Sequence, residues 1–271
     1  MGLSALALRT RWSVARLRHG PAGAPLIHPG RATAVAAMGL HFPSPLLLAA
    51  GFDRHGRLFD AAARLGLGGV EAGSMNCAAD GPAPPLLWSP RGAVRRGLSL
   101  NKPAHLAWPQ AQTAFLHGLA TWHRSADYIT VNPGHDCPGP AALASLMSAL
   151  ARLKARLPRP QPLALVAKLP ARWLGAADRR ATVHAFIDSG CDGLLLSTEG
   201  AADTAADCIA EVAALAGQRF CLISVGGVAS LGAARQRLAA GAHLVQVHRA
   251  LARRLPPHFI GGRQSSDSRL R

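Results

Sequence analysis

Phe220-Cys-Leu-Ile-Ser-Val-Gly-Gly-Val228, followed by Ser230, an Ala-rich helical stretch and then His243-Leu-Val-Gln-Val-His-Arg249, carries the reading of the fold. Both halves hold a continuous apolar run, as strands buried on both faces of a parallel sheet do, and both runs end in glycine or polar residues. Strand, crossover helix and second strand make a βαβ unit. Late strands that end in Gly-Gly ahead of a helix are where α/β barrels hold a phosphate on backbone N–H groups. A turn that needs one positive-φ glycine is the competing reading, and two adjacent glycines here favour the phosphate.

The same alternation extends upstream. It predicts strands over 45–53, 69–74, 127–132, 163–169, 193–198, 220–227 and 243–248, and helices over 57–65, 106–123, 141–157, 178–189, 203–216 and 230–240. Gly66, Gly190, Gly217 and Gly241 stand where helices end, and Pro158 blocks another. Repeated βα units fit an open doubly wound sheet as well as a closed (β/α)8 barrel. Polar residues gathered just past the strand ends favour the TIM-type barrel, whose βα loops build its active site. Seven strands are one short of closure. The expected fold is therefore an α/β barrel with one strand lost, the gap lying in 101–125, where only a helix is legible.

Composition bounds the rest. At 271 residues the chain suits one large core with a short appendage. With 49% hydrophobic and 16% charged residues it is a folded protein rather than a disordered polymer. The mean hydropathy is +0.15, yet the longest uninterrupted apolar run, 45–51, is strand-sized, so no membrane-spanning helix is expected. The net charge of +16 comes almost wholly from arginine, since Lys102, Lys154 and Lys168 are the only lysines. A GC-rich coding bias and a polyanion-binding surface both explain it. Cys77, Cys137, Cys191, Cys208 and Cys221 are odd in number and lack CxxC spacing, so they read as reduced core thiols with no metal site.

The first 52 residues contain no acidic residue. Leu3, Leu6, Val14 and Leu17 recur near helical spacing beside Arg9, Arg11, Arg16 and Arg18, as in a helix lying on an anionic membrane. An organellar presequence and a cap on a barrel end are the alternatives. The layout expected is a basic extension over 1–37, a barrel over 38–256 and a disordered Ser/Arg-rich tail over 257–271. Lys168 lies inside Leu163-Ala-Leu-Val-Ala-Lys-Leu-Pro170, where a lysine must find an anion, snorkel to water or lose its charge.

Met38-Gly-Leu-His-Phe-Pro-Ser-Pro45 followed by Leu48-Ala-Ala-Gly-Phe-Asp-Arg-His-Gly56 resembles the opening of the membrane-associated, quinone-using (class 2) dihydroorotate dehydrogenases. Glu71-Ala-Gly-Ser74, Tyr128-Ile-Thr-Val-Asn132, the Lys168 strand, Ser197-Thr198, Ser224-Val-Gly-Gly227 and Gly241-Ala-His-Leu-Val-Gln-Val-His248 continue the series in order. The resemblance implies a (β/α)8 barrel with FMN at the strand C-termini, oxidation of dihydroorotate to orotate in pyrimidine (UMP) biosynthesis, and electron transfer to a membrane quinone. It implies that Ala50 and Gly51 lie against the flavin ring, that Ser74 and Asn132 hydrogen-bond it, and that Gly226 and Gly227 hold its phosphate. Ser197, His248 and Arg249 complete the cofactor contacts, and Lys168 sits at the pyrimidine end of the ring, where a cation stabilises the reduced form. The implied substrate contacts are Arg54, Asn101, Asn132 and Thr198. The implied location is peripheral, on the cytoplasmic face of a membrane, or on the mitochondrial inner membrane if the N-terminus is a presequence. No nucleic-acid partner is expected.

The chain departs from the family pattern at several points. Arg54 replaces the lysine after Gly-x-Asp, which keeps the charge and changes its geometry. The substrate segment Asn-x-x-Gly-Phe-Asn reads Arg95-Arg-Gly-Leu-Ser-Leu-Asn101, and a strand carrying a further flavin-binding asparagine reads as deleted. The loop Asn-x-Ser-Ser-Pro-Asn-Thr-Pro-Gly, whose serine is the base, becomes Asn132-Pro-Gly-His-Asp-Cys-Pro-Gly139. Counting from Asn132 puts His135 at the base position, whereas Cys137-Pro138 resembles the cysteine base of the soluble class. Either accepts a proton near neutral pH better than serine does. Two other readings stay open: a degenerate, non-catalytic flavin-barrel relative, and an RNA-acting flavoprotein similar to the tRNA-dihydrouridine synthases, which use a Cys-Pro after an asparagine.

Overall fold

The computed structural model describes residues 34–77, 85–88, 92–175, 177–199 and 204–248. The expected N-terminal helix, the tail over 257–271 and Arg249 lie outside the described residues. Two short strands, β1 (Val35–Ala37) and β2 (Leu40–Phe42), form an antiparallel hairpin that straddles the expected boundary at 37/38. Eight further strands close a parallel barrel: β3 (Leu46–Leu48), β4 (Gly69–Asn76), β5 (Arg95–Asn101), β6 (Tyr128–Asn132), β7 (Ala164–Pro170), β8 (Gly193–Ser197), β9 (Cys221–Val225) and β10 (Leu244–Val247), with β10 pairing β3.

No strand is lost. The eighth strand is β5, which lies just before the expected gap at 101–125, in the segment that resembles the family's substrate-binding stretch, and it pairs β4 on one side and β6 on the other. Its run of Arg95, Arg96, Gly97 and Ser99 hides the strand from a hydropathy reading. The arginines are held at its N-terminal end, Arg96 by Asp127 at 2.9 Å and Arg95 by the His41 carbonyl at 2.6 Å. Gly97 is demanded by packing, since a Cβ there would lie 2.2 Å from Cζ of the buried Tyr128 ring. Short polar residues are what an interior already filled by a neighbour's aromatic ring can accept.

Helices α1 (Phe59–Arg64), α2 (Gln110–Trp122), α3 (Pro140–Lys154), α4 (Arg179–Asp188), α5 (Ala205–Ala216) and α6 (Leu231–Ala239) follow the strands and cover the barrel. Ser230 caps α6 by accepting from the Ala233 N–H at 3.1 Å. The core has two layers. One lies between the strands' outer faces and the helices, built around residues such as Phe115, Ile129, Leu165 and Phe186. The other fills the barrel's lower interior with Leu47, Tyr128, Val166, Leu195 and Ile223, closed below by Leu40 and Phe42 of the hairpin. Phe42 is fully buried against the Tyr128 ring, centroids 6.2 Å apart, which contributes about 1.5–3 kcal/mol by burial alone. With the lower end plugged, the opposite end is the one open to a ligand. Among the described residues no helix is long and apolar enough to cross a membrane.

Candidate active site

Residues at the C-terminal ends of the barrel strands form a ring. Ser74 and Asn76 close β4, Asn101 ends β5, Asn132 ends β6, Lys168 lies near the end of β7, Ser197 ends β8, and His248 follows β10. Ser74, Asn101, Asn132, Lys168, Ser197 and His248 are each half-buried, as side chains at a strand mouth are. Asn76, Asn101 and Asn132 share one rung across three neighbouring strands. Asn76 was not singled out in the sequence; its place in this row depends on a register shift between Gly73 and Met75.

Past the end of β3 the chain rises as a loop stitched to β4: Gly51 N–H donates to the Gly73 carbonyl at 2.8 Å, and Gly73 N–H to the Asp53 carbonyl at 3.1 Å. Asp53 is buried, and its carboxylate accepts from the backbone N–H of His55 and Leu58, which turns the chain into α1. Arg54 is exposed on this loop and Ala50 is half-buried. Gly51 has φ +90° and lies under the His248 ring, where a Cβ would be 3.2 Å from Nε2. That ring also packs edge-on against Phe52, centroids 6.3 Å apart.

Gly226 and Gly227 follow β9 with φ +97° and +68°. A Cβ on Gly226 would sit 2.7 Å from the Glu199 backbone nitrogen, so close approach to the loop after β8 demands glycine here independently of any ligand. Thr198, expected to touch substrate, is fully buried in that contact. Its hydroxyl lies 3.1 Å from the Val225 carbonyl and 3.2 Å from that of Gly226, and it accepts from Arg237 of α6 at 3.2 Å. The side chain ties two strand ends and a helix together.

The loop after Asn132 is organised by a residue that the sequence reading left unassigned. Lys102, directly after β5, is buried, and its ammonium donates to the carbonyls of Pro103 and Leu106 and to Asp136 at 2.8 Å. All three of its protons have acceptors. That Lys102 is one of only three lysines in the chain was the available signal. Hydrogen bonding from Lys102 holds the Asp136 carboxyl below its usual value. Cys137 is turned inward with its Sγ 3.6 Å from the Gly139 carbonyl, and burial pushes its thiol up. His135 is exposed.

No family model matches the chain. Over 290 residues it is 28% identical to dihydroorotate dehydrogenase (quinone) of Parvibaculum lavamentivorans, covering 88% of this chain and 82% of that protein. It is 27% identical to the mitochondrial dihydroorotate dehydrogenase (quinone) of Mus musculus, covering 82% and 72%. Its fold matches ligand-free DHODH from Eimeria tenella with a TM-score of 0.76 and 18% identity, over 93% of this chain and 91% of that one. The ferulenol complex of DHODH from the same organism gives 0.71. Over most of its length the chain is thus similar in sequence to proteins named dihydroorotate dehydrogenase (quinone), at 27–28% identity.

Proposed function

We propose that the chain is an FMN-dependent oxidoreductase that converts dihydroorotate to orotate and passes the electrons to a membrane quinone, within pyrimidine (UMP) biosynthesis. The observation that carries this is the ring of Ser74, Asn132, Lys168, Ser197 and His248 at the open end of one closed barrel, in the order the resemblance gives its cofactor contacts. The residues present fit a phosphorylated flavin. Gly226 and Gly227 leave backbone free of side chains at a strand end for the phosphate, Lys168 brings a positive charge, and Ser74 and Asn132 bring hydrogen-bonding groups. Bound there, FMN would supply the hydride acceptor.

The protein's own part is to hold the substrate and take a proton from it. Asn101 and Asn132, adjacent on one rung, offer amides to a planar polar ring, and Arg54 offers a guanidinium to its carboxylate. The base lies in the loop after Asn132. Asp136 is spent on Lys102 and is a weak base with its carboxyl pKa lowered, and Cys137 is held as a thiol by burial. His135 is left as the proton acceptor. The acid-free N-terminal residues support peripheral attachment to an anionic membrane face, where a quinone is reached.

Single-turnover reduction of the purified, flavin-loaded protein by dihydroorotate tests the assignment. His135→Ala should slow reduction by a factor on the order of 100 or more, with Cys137→Ala close to wild type. Equal rates in all three would place the base elsewhere, and a wild-type protein inert to dihydroorotate would end the dehydrogenase reading.

A further inference from the structure

A carboxyl group sits beneath the proposed cofactor ring, inside the barrel. Glu71, at the middle of β4, is 2% exposed. Its Oε2 accepts from Thr130 Oγ1 of β6 at 2.8 Å and from Gln246 Nε2 of β10 at 2.7 Å. The three residues come from three different strands, and their alternation points them inward along with Tyr128 and Lys168. Gly97 on β5, whose missing Cβ admits the Tyr128 ring, leaves the space beside Glu71 occupied by that ring. An acid in a barrel interior costs several kcal/mol when ionised without partners, so a site supplying two donors and a nearby lysine is a built one.

The forces on this group oppose one another. Burial raises the Glu71 carboxyl above its ordinary value, while hydrogen bonds from Thr130 and Gln246 and the charge of Lys168 pull it back down. The other titratable groups facing it stay neutral: burial and the Glu71 charge push Tyr128 well above the usual phenol value, and burial keeps Cys221 of β9 a thiol.

We propose that Glu71 is a positioning residue: seated on Thr130 and Gln246, it places a negative charge beneath Lys168 that offsets part of the field this lysine presents at the strand ends, and so sets how readily the flavin bound there is reduced. The proposal rests on the FMN reading above. Lys168 alone favours the electron-rich, reduced ring; an ionised Glu71 opposes it, and a protonated Glu71 does not.

The test is the midpoint potential of protein-bound FMN, measured against reference dyes from pH 6 to 9 in wild type, Glu71→Gln, Glu71→Asp and Thr130→Val. Glu71→Gln, which keeps the shape and removes the charge, should be more positive than wild type wherever Glu71 is ionised, with a gap that does not shrink as pH rises. Glu71→Asp should keep the wild-type pH profile. Thr130→Val, which removes one donor to the carboxylate, should move the inflection to higher pH and gives a second measure if Glu71→Gln folds poorly. Folding is checked by circular dichroism, because a merely structural role would lower thermal stability in all three variants and leave the pH profile of the potential unchanged. Coincident potentials of folded wild type and Glu71→Gln across the range would overturn this inference alone. A folded protein that binds no flavin would overturn the FMN reading, and this inference with it.

Discussion

Replacing Gly226 by alanine probes the joint between the loops after β8 and β9, on which the proposed phosphate seat depends. Two costs add. A φ of +97° is strained for any residue with a Cβ, by about 1–2 kcal/mol. The new methyl would also stand 2.7 Å from the Glu199 nitrogen and 3.0 Å from the Thr198 carbonyl carbon, both backbone atoms that cannot rotate away. Thr198 is pinned by the carbonyls of Val225 and Gly226 and by Arg237, so relief requires moving the strand end, at about 1–3 kcal/mol. The sum is about 2–5 kcal/mol, or roughly 4–20 °C in Tm at 2–4 °C per kcal/mol for a domain of this size. Gly39→Ala is the internal control: it shares a positive φ, +69°, with nothing within 4 Å of the added carbon, and should cost only the strain. Thermal melts of the three proteins with and without added FMN decide the matter. If Gly226→Ala melts no lower than Gly39→Ala, the close approach is not the constraint described, and if it also keeps its flavin, the two-glycine turn is not the phosphate seat.

Three further outcomes follow from the same geometry. Asp136→Asn leaves the buried Lys102 ammonium without its anionic partner and should raise amide exchange over 133–138, slow flavin reduction by dihydroorotate and lower Tm; unchanged exchange would show that the loop is held by other contacts. Because the Glu71 carboxyl is raised in the folded state above its ordinary 4.5, the stability it contributes is full below that value and is lost as pH rises through the folded one. Urea titrations should therefore show Glu71→Gln gaining on wild type from about pH 4.5 upward, and a gap that stays constant with pH would refute the shift. Full-length protein should sediment with anionic vesicles and the variant lacking residues 1–33 should not, since basic residues near such a surface contribute about 1 kcal/mol each; equal binding by both would locate attachment elsewhere.

The sequence by itself determined the barrel. Strands β4 and β6 to β10 each appear as an apolar run within a residue or two of their observed ends, because a parallel strand buried on both faces must be apolar at nearly every position. Of the ring, Lys168 stands out by itself as a lysine inside an apolar strand, whereas Ser74, Asn132 and Ser197 are singled out by the family resemblance and not by the run they end. What tertiary structure alone decided were the positions set by a neighbour from far along the chain. Strand β5 is a strand because Tyr128 needs the space a glycine leaves and because Asp127 and the His41 carbonyl hold its two arginines. Thr198 became a tie between strand ends, Lys102 the anchor of the Asn132 loop, and Glu71 a buried acid seated on Thr130 and Gln246, 59 and 175 residues away. A side chain's solvation and partners are properties of the closed barrel, since closure brings β10 beside β3 and faces eight strands onto one interior; residue type and spacing along one strand do not encode them.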